Sequence, residues 1–149
     1  MKSPIMYWDA ETGTSRCVIT AKDGSVHVGS AHCSPKDQDM MSEKTGGEIA
    51  EMRASIAYLR HIRDFEIKPE LKSLKKFWNT INCSKYYDAN AYPVQMLLRS
   101  IQRYENDLVT INEDINELKN GLNNYITQKG AFYEKIRKLR NKDKKAEDK

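Results

Sequence analysis

Between Val94 and Leu139, apolar residues recur at alternating gaps of three and four. One set is Val94, Ile101, Leu108, Ile115, Leu122 and Ile136; the other is Leu97, Tyr104, Ile111, Leu118, Tyr125, Phe132 and Leu139. Lys129 alone interrupts the series. A strand cannot use this spacing, because its side chains alternate every second residue. A helix turning every 3.6 residues gathers the two sets into one stripe, and a sustained repeat of seven favours a coiled-coil seam. Leu98, Ile126 and Tyr133 sit beside the seam and widen it beyond that of a two-stranded zipper. At 1.5 Å per residue the helix is roughly 70 Å long, more than a compact domain of this size spans. Such a helix needs a partner, and its length allows one part to pack on the rest of the chain and another on a second subunit. Gly121 and Gly130 each weaken it by about 1 kcal/mol relative to alanine, and such a glycine marks a bend or a close crossing.

The rest of the composition sets limits on function. Net charge is +4 over 149 residues, too mild to favour polyanions unless it is clustered. No run approaches the roughly 20 apolar residues of a membrane-spanning helix. The opening MKSPIMYWDAETG lacks the apolar centre of a secretion signal, so an intracellular location is expected. Cys17, Cys33 and Cys83 are odd in number and form no CxxC, which favours reduced thiols over disulfides or zinc.

Residues 1–15 show no clear period; Trp8, in the cluster Met6-Tyr7-Trp8, reads as a core residue or as a stacking platform. Residues 16–33 predict a β-hairpin, with Arg16–Ala21 and Ser25–Cys33 rich in Val, Ile and Thr and Asp23-Gly24 supplying positive φ at the turn. A lone hairpin is marginal in water, so it must pack on a helix or pair with a further strand. Gly29 marks a bulge or a close backbone approach. Ser34-Pro35 starts a short helix that Thr45-Gly46-Gly47 breaks. A helix from Glu48 to Phe65 follows, and Pro69 starts another to Ile81. Residues 82–93 form a loop carrying Tyr86, Tyr87 and Tyr92. The fold class expected is α+β: a small antiparallel hairpin or sheet packed on helices, with a long C-terminal coiled-coil-like helix. One domain over 1–149 is expected, β-rich over 1–33, helical with an aromatic loop over 34–93, a long helix over 94–140 and a disordered basic tail over 141–149.

Catalytic signals are weak. The chain has no Walker A loop, GxGxxG, HExxH or GxSxG. His27 and His32 lie five apart, on opposite faces of a strand, which disfavours a shared metal. No enzyme, metal or cofactor is therefore expected. Binding is better supported. From Arg53 to Lys76 there are seven Lys or Arg residues against three acids. Arginines grip phosphate oxygens through paired hydrogen bonds, and aromatic rings stack on bases. Arg53, Arg60, Arg63, Phe77, Trp78, Tyr87, Asn90, Tyr92, Arg99 and Arg103 fall in one stretch of sequence, with Arg99 and Arg103 four apart on one helix face.

The hairpin CVITAKDGSVHVGSAHCSPKD, the segment GGEIAEMRA, the aromatic KKFWN and the loop DANAYP, leading into the long helix, together resemble the phage Thoeris anti-defence protein family, type one. The likeness covers roughly residues 16–140 and rests on order and local flavour. It implies a multimeric, non-enzymatic protein of the infected bacterial cytoplasm that withholds cyclic ADP-ribose-type immune signals, and in some members cyclic oligonucleotides, without cleaving them. An aromatic residue and an asparagine matter in that family's pocket; here the resemblance points to Phe77 or Trp78 and to Asn90. The candidate ligand-binding set is thus Phe77, Trp78, Asn90, Tyr92, Arg99, Arg103, Arg53 and Arg60.

Two other readings stay open. A coiled-coil interaction protein with no small ligand would form homo-oligomers and ignore nucleotides. A nucleic-acid binder using the basic helices and tail would lose affinity steeply with salt, but the mild net charge and the acids along the long helix disfavour it.

Overall fold

The computed structural model describes residues 3–40, 42–84 and 88–147. Its class is α+β, a three-stranded antiparallel sheet with helices that include a long C-terminal one. The strands are β1 (Ile5–Asp9), β2 (Thr14–Thr20) and β3 (Val26–His32), in the order β1-β2-β3. A short 3-10 turn (Pro35–Met40) stands where a helix was expected from Ser34, and it leads to α1 (Glu43–His61). A π-turn (Ile62–Ile67) joins α1 to α2 (Lys68–Asn82), and α3 runs from Tyr92 to Glu147.

The sequence reading treats the chain as one domain; its contacts group it into two compact units. The first comprises residues 1–58 and 117–149, the second 59–116. In the first unit the predicted hairpin forms, but it is not alone. β1 arises from a stretch without an obvious period and pairs with β2 from Ile5↔Val18 to Asp9↔Thr14. This supplies the extra pairing that a marginal hairpin requires. At the other end Gly24 N–H donates to Ala21 O (3.1 Å) and Ala21 N–H to Ser25 O (2.9 Å). Gly24 takes φ +85° while Asp23 stays at negative φ, so one left-handed glycine closes a three-residue loop.

The sheet has two unlike faces. Cys17, Ile19 and Ala31 turn inward and pack with Ala50 and Ala54 of α1, helped by Ile49 and Tyr58. Small residues on both surfaces bring helix and sheet close. Gly29 marks the tightest point: a Cβ there would collide with Ala50 O and Ala54 N and lie 2.9 Å from Arg53 Cβ. The other face carries Ile5, Tyr7, Val26 and Val28, all more than half exposed.

Three expectations about the helices need correction. Thr45-Gly46-Gly47 does not break the chain but lies inside the first turns of α1. Ser42 caps that helix, its Oγ accepting from Thr45 N–H (3.3 Å) and its carbonyl from Gly46 N–H (2.9 Å). Gly46 is needed for space, since a Cβ would clash with Ser15 Oγ and sit 3.2 Å from Ser15 Cβ. The helices on either side of Pro69 are not separate. Lys68 N–H reaches back five residues to Arg63 O, and Pro69, which lacks an N–H, falls at the start of α2, where the loss is tolerated. The long helix does not end at Arg140 but continues to Glu147.

In the second unit α2 and the first part of α3 make a helical hairpin. Leu71, Leu97 and Ile101 form its core, with Leu74, Trp78, Ile81, Tyr104 and Leu108 packed around them. Ion pairing of Lys75 with Glu105 (2.6 Å) and a hydrogen bond from Arg63 to Asn112 Oδ1 (3.2 Å) tie its length together. Along α3, Val94, Leu97, Ile101, Ile111, Ile115 and Leu122 are buried within a single chain. That length of the stripe therefore does not itself call for a second subunit. Phe132 and Leu139, further along, remain more than half exposed.

Candidate functional site

The expected binding residues are not drawn together. Arg53 belongs to the first unit, where its guanidinium donates to Ser30 O across the sheet. Arg60, Phe77, Trp78, Asn90, Tyr92, Arg99 and Arg103 belong to the second. Trp78 packs against the hairpin core, whereas Phe77 and Tyr92 are exposed. Arg103 stacks on its neighbour Tyr104, 5.1 Å from the ring centre, and Arg60, Arg99 and Asn90 are exposed. Arg63 is already engaged, its guanidinium gripping Asp64 through Nε (2.9 Å) and Nη2 (3.0 Å). Four cavities among the described residues have none of the eight candidates in their walls. Tyr86 and Tyr87 lie outside the described residues.

A better site forms in the first unit. A cavity of about 210 Å³ opens between the end of β3, the 3-10 turn, the start of α1 and the C-terminal half of α3. Trp8, Tyr133 and Lys129 are among the residues of its wall. Ser42, Thr45 and Gly46 bring the N-terminal end of α1 to it; Ser42 takes up the Thr45 and Gly46 N–H groups, and the helix dipole still favours negative charge there. Ala31, Ile49 and Ile126 give it apolar surface. Gly130 borders the cavity, but a Cβ there or at Gly121 would meet nothing within 4 Å, so neither helix glycine marks the close crossing expected of one of them.

Polar pairs brace the walls. Arg137 Nη2 meets Asp37 Oδ1 at 3.2 Å, tying α3 to the 3-10 turn. Tyr125 donates its hydroxyl to Glu48 Oε2, tying α3 to α1, and Lys129 Nζ lies 5.4 Å from the Tyr125 ring centre. Partial burial, and then the Glu48 carboxylate, raise the Tyr125 phenol above its ordinary value. A raised phenol pKa favours the neutral form in the folded state. Its contribution to stability is therefore complete below the unfolded value, about 10, and is lost as pH rises through the folded one. Thermal unfolding of Tyr125→Phe should consequently change less between pH 8 and pH 11 than that of the unmodified chain. Equal slopes would remove the phenol from the alkaline transition.

The sequence holds some signals for this site. Lys129 is the one cation in the apolar series, Gly130 follows it, and Trp8 stands in an aromatic cluster. Their spatial meeting depends on long-range packing of segments more than a hundred residues apart. Among the described residues no cluster of three or more His, Cys, Asp or Glu is placed to hold a metal ion. No helix among them is long and apolar enough to cross a membrane. The chain matches no family model, curated protein or solved structure.

Proposed function

We propose that this protein binds and withholds a small nucleotide-type anion without converting it. The observation that carries this reading is the presence, around one cavity, of two aromatic residues, a lysine and a helix N-terminus. Rings of this kind take a flat base, and the positive end takes a phosphate. The resemblance to Thoeris anti-defence proteins narrows the ligand to cyclic ADP-ribose-type signals, with cyclic oligonucleotides as a second class. It also sets the action in the cytoplasm of an infected bacterium and makes the working form a homo-oligomer.

Native mass spectrometry against a panel of cyclic ADP-ribose isomers and cyclic oligonucleotides tests the reading. A complex is expected, with the ligand recovered intact after the protein is denatured. Lys129→Met and Trp8→Ala should each weaken binding by about tenfold or more, the loss expected when a charge-assisted contact or a stacking platform is removed. If Asn90→Ala or Trp78→Ala abolishes binding while those two do not, the pocket lies where the resemblance points instead. Recovery of a hydrolysed ligand would replace the sponge with an enzyme, and absence of any complex would end the nucleotide reading.

A further inference from the structure

The outward face of the sheet holds a second concave surface, bordered by Tyr7, Asp9, Thr14, Arg16, Val18, Val28 and His32. Its polar groups form a chain across three strands and a turn. Thr12 Oγ1 lies 2.8 Å from Asp9 Oδ2 and 3.0 Å from Thr14 Oγ1, and Thr14 Oγ1 lies 2.8 Å from His32 Nδ1. The Asp9 carboxyl is held below the ordinary carboxylate range, first by the Thr12 hydroxyl and then by the Glu11 N–H. At neutral pH it is an anion and only accepts.

Counting hydrogens then fixes the direction of the chain. Thr12 has one hydroxyl hydrogen, and the carboxylate takes it. Thr14 must donate its own hydrogen to Thr12, which leaves none for the imidazole. His32 Nδ1 is therefore the donor to Thr14, and in the neutral ring Nε2 carries the lone pair. The chain thus sets both the orientation and the tautomer of an exposed histidine.

Two further features share this face. Arg16 pairs with Tyr7 on one side and Ser30 on the other, and among the described residues its side chain makes no hydrogen bond or ion pair. Val18 and Val28 sit directly opposite each other and give the surface an apolar end beyond the Arg16–Ser30 pair. Arg16 and His32 occupy diagonal positions on adjacent strands, on the order of 7 Å apart. The single guanidinium, with the Asp9 carboxylate near it, suits one negative charge better than two.

We propose that this face binds a flat aromatic carboxylate whose ring carries an O–H or N–H donor. Arg16 takes the carboxylate through its paired donors, the ring lies between Arg16 and His32 beside Tyr7, and His32 Nε2 accepts from the donor. This surface shares Trp8 and His32 with the border of the proposed nucleotide cavity but does not use that cavity's Lys129.

The probe is 4-hydroxybenzoate, followed through backbone amide shifts by NMR. Two analogues each remove one contact: 4-methoxybenzoate has no donor, and 4-hydroxybenzamide has no charge. Saturable shifts are expected around Arg16, Val18, Val28 and His32 with the first compound. Each analogue should bind at least tenfold more weakly, since a contact designed around a missing group leaves a polar atom unpaired. Arg16→Gln should lose the response and Lys129→Met should keep it, both with unchanged thermal unfolding. Equal shifts with all three compounds, or no saturable shift, would overturn the proposal. So would shifts on this face that appear on raising protein concentration alone, because a second copy of the chain would then be the occupant.

Discussion

Gly29→Ala is expected to destabilise the first unit by about 3 kcal/mol, at the upper end for adding a methyl group to a packed interior. The reason is geometric. The added Cβ would meet main-chain atoms, Ala50 O and Ala54 N, and a helix backbone cannot turn aside as a side chain can. Relief would require α1 to lift off the sheet, which would open the packing of Cys17, Ile19, Ala31, Ala50 and Ala54. Gly121→Ala is the control. A Cβ there meets nothing within 4 Å, and the helix should gain about 1 kcal/mol. Urea unfolding of the two variants should shift in opposite directions. A Gly29→Ala midpoint equal to that of the unmodified protein would mean that α1 does not lie on the sheet as described.

Ile115→Asp carries the second large effect. Ile115 is 1% exposed, so the carboxylate would be placed without water or a partner. Burial of an unpaired charge should cost more than about 3 kcal/mol and leave much of the chain unfolded. Phe132→Asp, on the same helix at 56% exposure, should change stability by less than about 0.5 kcal/mol. Circular dichroism melts report the difference, and size-exclusion chromatography separates two explanations of it. A folded Ile115→Asp chain that merely elutes as a smaller species would show that the seam at this position is covered by another subunit.

Much of the architecture was legible because it rests on local rules. The seven-residue repeat predicts the long helix, Asp23-Gly24 predicts the hairpin, and Gly29 marks the close approach. The errors fall where packing between distant segments decides. β1 has no alternating pattern because Met6 and Trp8 face inward while Ile5 and Tyr7 form the open apolar face, so large residues occupy both sides. Gly46-Gly47 resembles a break until Ser15 is seen against Gly46. The aromatic and arginine residues chosen as a binding set are neighbours in sequence, but they divide between two units and a helical core. The cavity instead gathers residues from position 8 to position 133, a conjunction that no window along the chain contains.

The π-turn before Pro69 has one more consequence. Leu59, Ile67, Leu74 and Ile81 are separated by eight, seven and seven residues. A regular helix would carry the first of these gaps a full residue out of step, turning the later apolar positions aside by about 100°. The π-turn takes up one surplus residue within Ile62–Ile67, and the repeat of seven resumes behind it. What looks like a defect at a proline is a skip in the count, and it lets a chain with one residue too many keep a single apolar line.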